Sequence, residues 1–234
     1  MEGLSNGVRL LGVETSSLFF SVAAADGSNL LSYRQADSQG LSSLMLTDMI
    51  QEALKEAGLD LAGLDGFAIS IGPGSFTGLR IGVMTVKTLA WALKKPVLPV
   101  SSLEVIANNF PDSGQPVVPF LDARKGNVYM ACFAPDEKGS LRRTAPDTLL
   151  KPEEALQRFE EPAILVGDGL KRYAELVNST APAGVERAEP SLWIPRADVL
   201  CRLAARRWPE GLVDDPHRLV PHYLYSQESD IIGK

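Results

Sequence analysis

Three groups of residues in this 234-residue chain have types and spacings that could do chemistry. The first is the glycine-rich turn Gly72-Pro73-Gly74-Ser75, set between an apolar strand pattern and a long apolar helix pattern. Such a turn brings backbone close to a neighbour and points helix N–H groups outward, a geometry that favours an anion. It is not a Walker loop, because Thr77-Gly78-Leu79 supplies no lysine, and not a dinucleotide fingerprint, because Thr77 takes the place of the third glycine. A ligand-holding turn and a tight connection without a ligand both remain open. The second group is acidic: Glu14 and Asp122 each close a short apolar run and could form a carboxylate pair, or act as solvated or capping carboxylates. The third is the histidines. His217 and His222 lie five residues apart in a proline-bounded tail and do not share a helix face, so no metal centre is expected. Neither Ser16 nor Ser75 has a histidine spaced to activate it, so no catalytic residue and no cofactor are expected.

The elements that must position these groups follow from apolar periodicity. Strands are expected at Arg9–Val13, Leu18–Ala25, Leu30–Arg34, Gly66–Ile71 and Val97–Val100, with helices over 41–57, 76–93 and from Ser102. A proline- and asparagine-rich break at residues 108–116 precedes a restart. Strands are then expected at Val117–Leu121, Val128–Phe133, Leu141–Thr144 and Ala163–Val166, with helices at Pro152–Phe159 and Leu170–Val177. An acid at the end of a first strand, a hairpin, a helix, a strand and a Gly-x-Gly turn thus occur twice, the second time at Gly167-Asp168-Gly169. Duplication on this scale implies two similar α/β lobes, residues 1–107 and 108–234, with the C-terminal segment free to return to the first.

Both helices of the first lobe carry more apolar surface than one sheet can cover. On a wheel of the second, Leu79, Gly82, Val83, Val86, Leu89, Ala90 and Leu93 form one stripe, and Ile81, Met84, Trp91 and Ala92 occupy much of the opposite side. The first has a core stripe of Leu46, Met49, Ile50, Ala53, Leu54 and Ala57, with Leu41, Leu44 and Met45 opposite. Surplus apolar faces with methionines suit an adaptable protein interface. The expected interface set is Leu41, Leu44, Met45, Asp48, Phe76, Arg80, Val83, Met84 and Lys87. Which stripe of the second helix faces outward is left open by the pattern.

Composition narrows the partners. Net charge is −6, which disfavours gripping nucleic acid unaided; Arg202, Arg206 and Arg207 read as a solvated helix face. Cys132 and Cys201 read as small core residues in a reducing compartment. No signal-peptide order and no membrane-length apolar run is present, and a cytoplasmic location is expected.

The duplicated plan resembles the actin, sugar-kinase and heat-shock-chaperone ATPase architecture, with an abbreviated second lobe. That likeness implies nucleotide contacts from Glu14, Thr15, Ser16, Gly72, Gly74, Ser75 and Asp122, and a rival reading of the chain as a small-molecule kinase or ATPase. A closer resemblance rests on Leu11-Gly-Val-Glu-Thr-Ser16, Gly72-Pro-Gly-Ser-Phe-Thr-Gly-Leu-Arg-Ile-Gly82, Pro99-Val-Ser-Ser-Leu103, Leu121-Asp-Ala-Arg124 with Val128-Tyr129, and Pro221-His-Tyr-Leu224. Over nearly the whole chain it is similar to the TsaB family, also called YeaZ. The resemblance implies a non-catalytic subunit for threonylcarbamoylation of the tRNA adenosine beside the anticodon. It would pair with a catalytic TsaD-like paralogue, help recruit a TsaE-like ATPase, form a homodimer when alone, and meet tRNA only through the complex. Two departures matter. The first strand ends in Glu14 where the family has Asp. And where the catalytic relatives carry His-x-x-x-His, this chain has Ser101-Ser-Leu-Glu-Val-Ile106.

Overall fold

The computed structural model describes residues 7–37, 43–159, 162–211 and 214–225. In chain order the first half holds β1 (Arg9–Glu14), β2 (Phe19–Asp26), β3 (Asn29–Asp37), α1 (Ser43–Ala57), β4 (Gly66–Ser70), α2 (Phe76–Leu93), β5 (Val97–Val100) and α3 (Ser102–Ala107). The second holds β6 (Val117–Asp122), β7 (Val128–Pro135), β8 (Leu141–Leu150), α4 (Pro152–Ala155), β9 (Ala163–Val166), α5 (Gly169–Arg172), α6 (Ala174–Thr180), β10 (Val185–Arg187) and α7 (Ala197–Arg207). The chain divides into two compact units, one running to Val105 and taking back Pro195–Pro221, the other formed by Ile106–Ile194 and the residues from His222.

In the first unit the strand order is β3-β2-β1-β4-β5. β1 pairs antiparallel with β2 and parallel with β4, and β4 pairs parallel with β5. Apart from Arg9, β1 and β4 are buried along their length and read as near-continuous apolar runs, as strands covered on both faces do. Leu11, Val13, Phe67 and Ile69 meet Leu46, Ile50, Val83, Val86 and Ala90 of α1 and α2 on one face. Leu10, Ala68 and Leu98 meet Val199, Leu200, Leu203 and Ala204 of α7 on the other. α7 lies so close that a Cβ on Gly12 would come within 2.6 Å of the Cys201 sulfur.

The second unit repeats the order as β8-β7-β6-β9-β10, with the same parallel and antiparallel senses. Its core gathers Val118, Phe120, Val128, Met130, Leu156, Leu165, Leu170 and Val177. Here the helices are cut short: the 15-residue α1 corresponds to the four-residue α4, and the 18-residue α2 to α5 and α6. The duplicated α/β plan with an abbreviated second copy is therefore the fold. Three boundaries differ most from expectation. β8 continues to Leu150, because its ladder with β7 resumes beyond an irregularity near Cys132. α4 stops at Ala155, and the expected helix 170–177 breaks at Tyr173. Among the described residues no helix is long and apolar enough to cross a membrane.

Candidate functional site

The glycine turn is a tight connection laid on the end of β1. Gly72 has φ 105°, and the Gly72–Pro73 bond is cis. A Cβ on Gly74 would lie 2.2 Å from the Ser16 carbonyl oxygen, one on Gly78 2.0 Å from that of Thr15, and one on Gly82 2.1 Å from Thr15 Oγ1. The Ser75 amide donates to Ser16 O at 2.7 Å, the Gly78 amide to the capping Ser75 Oγ at 3.2 Å, and the Leu79 amide to Ser75 O at 2.9 Å. The glycines thus serve close packing of α2 on the 14–16 turn, and these amides are engaged within the chain.

Glu14, Thr15 and Ser16 are all buried beneath this connection. Glu14 Oε1 accepts from the Ser16 amide at 2.6 Å, while Oε2 has no partner. Burial pushes the Glu14 carboxyl above the usual carboxylate range, opposed by its hydrogen bonds to Ser16. In this structure the Glu14 carboxyl is spent within its own unit, on the 14–16 turn.

In the second unit Asp122 accepts from the Arg124 amide at 2.9 Å and pairs with its guanidinium at 3.2 Å. The Asp122 amide donates to Asp168 Oδ1 at 2.9 Å. Burial, with the Asp122 charge adding, raises the Asp168 carboxyl above its ordinary value. The β6–β7 turn bends through left-handed Arg124, Lys125 and Gly126. It is fastened by the Tyr225 hydroxyl, 3.0 Å from both the Ala123 and Arg124 carbonyls, with Asn127 Nδ2 donating to it at 3.1 Å. Asp168 and Tyr225 were not among the expected residues; only Asp168 carried a signal, its place inside the second Gly-x-Gly.

The α1–α2 layer settles the question the helical wheel left open. Val83, expected at the interface, turns inward with Val86 and Ala90 against the sheet. The outward ridge is Phe76, Arg80, Met84 and Trp91, with Met84 58% and Trp91 60% exposed. The Arg80 guanidinium lies 3.9 Å from the centre of the Phe76 ring. On α1, Leu44 is 75% exposed, and Met45 and Asp48 are exposed beside it; Leu41 lies outside the described residues. The Lys87 ammonium donates to the His217 and Leu219 carbonyls, both at 3.1 Å, and so fastens the C-terminal segment to α2. Between the two helices runs a groove of about 710 Å³ walled by Ile50, Leu54, Leu59, Leu61, Leu89 and Leu93. Among the described residues no cluster of three or more His, Cys, Asp or Glu could hold a metal ion.

Residues 39–224 match the family described as TsaD, tRNA N6-adenosine threonylcarbamoyltransferase. The solved structure of YeaZ from Pseudomonas aeruginosa superposes with a TM-score of 0.82 at 30% identity, covering 93% of this chain and 100% of that one. The chain belongs to the TsaD family, in its TsaB (YeaZ) branch. The tRNA threonylcarbamoyladenosine biosynthesis protein TsaB of Escherichia coli is 27% identical over 93% of this chain and 94% of its own length. A tRNA N6-adenosine threonylcarbamoyltransferase of Methylobacterium sp. is 46% identical over 59 residues, 25% of this chain and 17% of the transferase. The TsaB likeness is thus end to end, and that to this transferase local.

Proposed function

We propose that this protein acts in tRNA threonylcarbamoyladenosine biosynthesis as a non-catalytic scaffold. In this reading the outer face of α1 and α2 pairs with a TsaD-like transferase, and the pair helps recruit a TsaE-like ATPase. In the absence of the transferase the same face pairs with a second copy, and tRNA is met only through the assembly, in the cytoplasm. The observation that carries the reading is the apolar ridge of Phe76, Met84 and Trp91 on α2, continued by Leu44 and Met45 on α1. Exposed apolar patches of this kind mark surfaces that need a protein cover. The names of its TsaB relatives supply the pathway.

Against the kinase or ATPase reading stand the burial of Glu14 and the engagement of the Ser75, Gly78 and Leu79 amides. The test is reconstitution. This protein, a TsaD-like transferase, a TsaE-like ATPase and threonylcarbamoyl donor are mixed with tRNA, and modification is followed with each component left out. The expected result is modification only in the full mixture, with co-elution of this protein and the transferase. Nucleotide turnover or tRNA modification by this chain alone would overturn the proposal.

A further inference from the structure

The last residue of β1 is a buried acid without a counter-charge, and it lies under the first turn of α2. Glu14 is fully buried; Ser21 stands opposite it on β2, and the pairing of Val13 with Ile69 sets Ser70 beside it on β4. Glu14 Oε2 and Ser70 Oγ are both buried without a hydrogen bond of good geometry, and the Ser70 hydroxyl is the side chain near enough to favour the charged carboxyl after Ser16. On the elements packed around this end of the sheet, the charged and titratable groups are already occupied. Arg196 clasps Asp198 at the start of α7 with two bonds of 2.9 Å. Glu104 of α3 is paired with Arg207. Tyr33 of β3 donates to Gln35, and Arg80 of α2 lies outward over Phe76. A carboxylate in such a place is strongly disfavoured, whereas a neutral acid is not.

The same residue braces the turn that carries α2. Its Oε1 holds the Ser16 amide at 2.6 Å, and the Ser16 carbonyl in turn holds the Ser75 amide at 2.7 Å. The Thr15 carbonyl and hydroxyl form the floor against which Gly78 and Gly82 pack. We propose that Glu14 is a proton-dependent positioning residue: as a neutral acid it braces the 14–16 turn beneath α2, and loss of its proton loosens the Gly72–Leu79 connection. The direction of its titration agrees, since burial raises the carboxyl above its ordinary value. The native state then keeps a proton that the unfolded chain has released. The stability present at low pH declines as pH rises from the unfolded value to the folded one and is level beyond it.

Hydrogen exchange on the full chain across a pH series, corrected for intrinsic rates, tests this without any partner. The wild-type amides of Ser75, Gly78 and Leu79 are expected to lose about tenfold in protection per pH unit through the titration, while amides of β6 and β9 hold theirs. Glu14→Gln keeps an acceptor for the Ser16 amide and cannot ionise, so its protection should be level with pH and exceed wild type at the alkaline end. Wild-type protection that is independent of pH would overturn the proposal, as would an equal decline in Glu14→Gln or a loss spread equally over both units. Should Glu14→Gln fail to fold, the wild-type series decides by itself.

Discussion

The carbonyl oxygen of Thr15 lies where a side chain on Gly78 would have to go: a Cβ there would be 2.0 Å from it. Two turns of α2 are pressed against the 14–16 turn in this way, because a Cβ on Gly82 would lie 2.1 Å from Thr15 Oγ1. Gly78→Ala and Gly82→Ala should each destabilise the protein by about 1–3 kcal/mol, as overpacking does, although alanine is the better helix former. Thermal unfolding compared with an exposed-helix control such as Thr88→Ala would measure it.

The two sides of α2 should respond oppositely to the same charge. Val83→Glu places an unpaired carboxylate against the sheet and should cost several kcal/mol, enough to unfold the first unit. Met84→Glu lies on the outer ridge and should leave the fold intact while abolishing self-pairing and transferase binding. Circular dichroism and light scattering on both variants provide the comparison.

Removing the Lys87 ammonium should release the C-terminal segment from α2. Lys87→Met keeps the aliphatic stem but loses the bonds to the His217 and Leu219 carbonyls, and Leu219 is part of the core. The expected cost is about 1 kcal/mol, with faster proteolysis within residues 214–220. Limited digestion read by mass spectrometry would locate the new cut.

Both cysteines should be silent in the folded protein. Burial pushes the Cys132 thiol up to about 11 and Cys201 up to about 12, so neither holds a useful fraction of thiolate near neutral pH. A colourimetric thiol reagent should label no thiol until denaturant is added and two thereafter.

The bounds of α2, Phe76–Leu93, were legible in the sequence because the glycine turn marks its start and the apolar run carries through to Leu93. The repeated strand order was legible for a similar reason: acid, hairpin and Gly-x-Gly fall at matching places. Which side of α2 faces the sheet was not, because a helix apolar nearly all round gives no direction; only the packing of Val83, Val86 and Ala90 decides it. The tie of Lys87 to the C-terminal segment was not legible, because its carbonyl partners lie 130 and 132 residues further along the chain. Tyr225 was missed likewise, its anchor points at Ala123 and Arg124 being 102 and 101 residues away. The burial of Glu14 was not legible because, beyond its hairpin neighbour Ser21, it lies beside Ser70 on β4, far along the chain.

The return of Pro195–Pro221 to the first unit sets an order on the ribosome. Synthesis delivers β1 to β5 early, yet Gly12 and Gly66 remain uncovered until Cys201 and Trp208 have been made, and the core until Leu219. The sheet within Ile106–Ile194 is contiguous in the chain, and what that unit awaits is Tyr225 on its β6–β7 turn. The sheet begun first is therefore the one covered last, and a nascent chain halted before α7 carries the ridge of α2 on a half-built scaffold. A ridge that serves pairing, as proposed above, would then rest on a finished core only when translation is almost complete, an ordering that follows from topology alone.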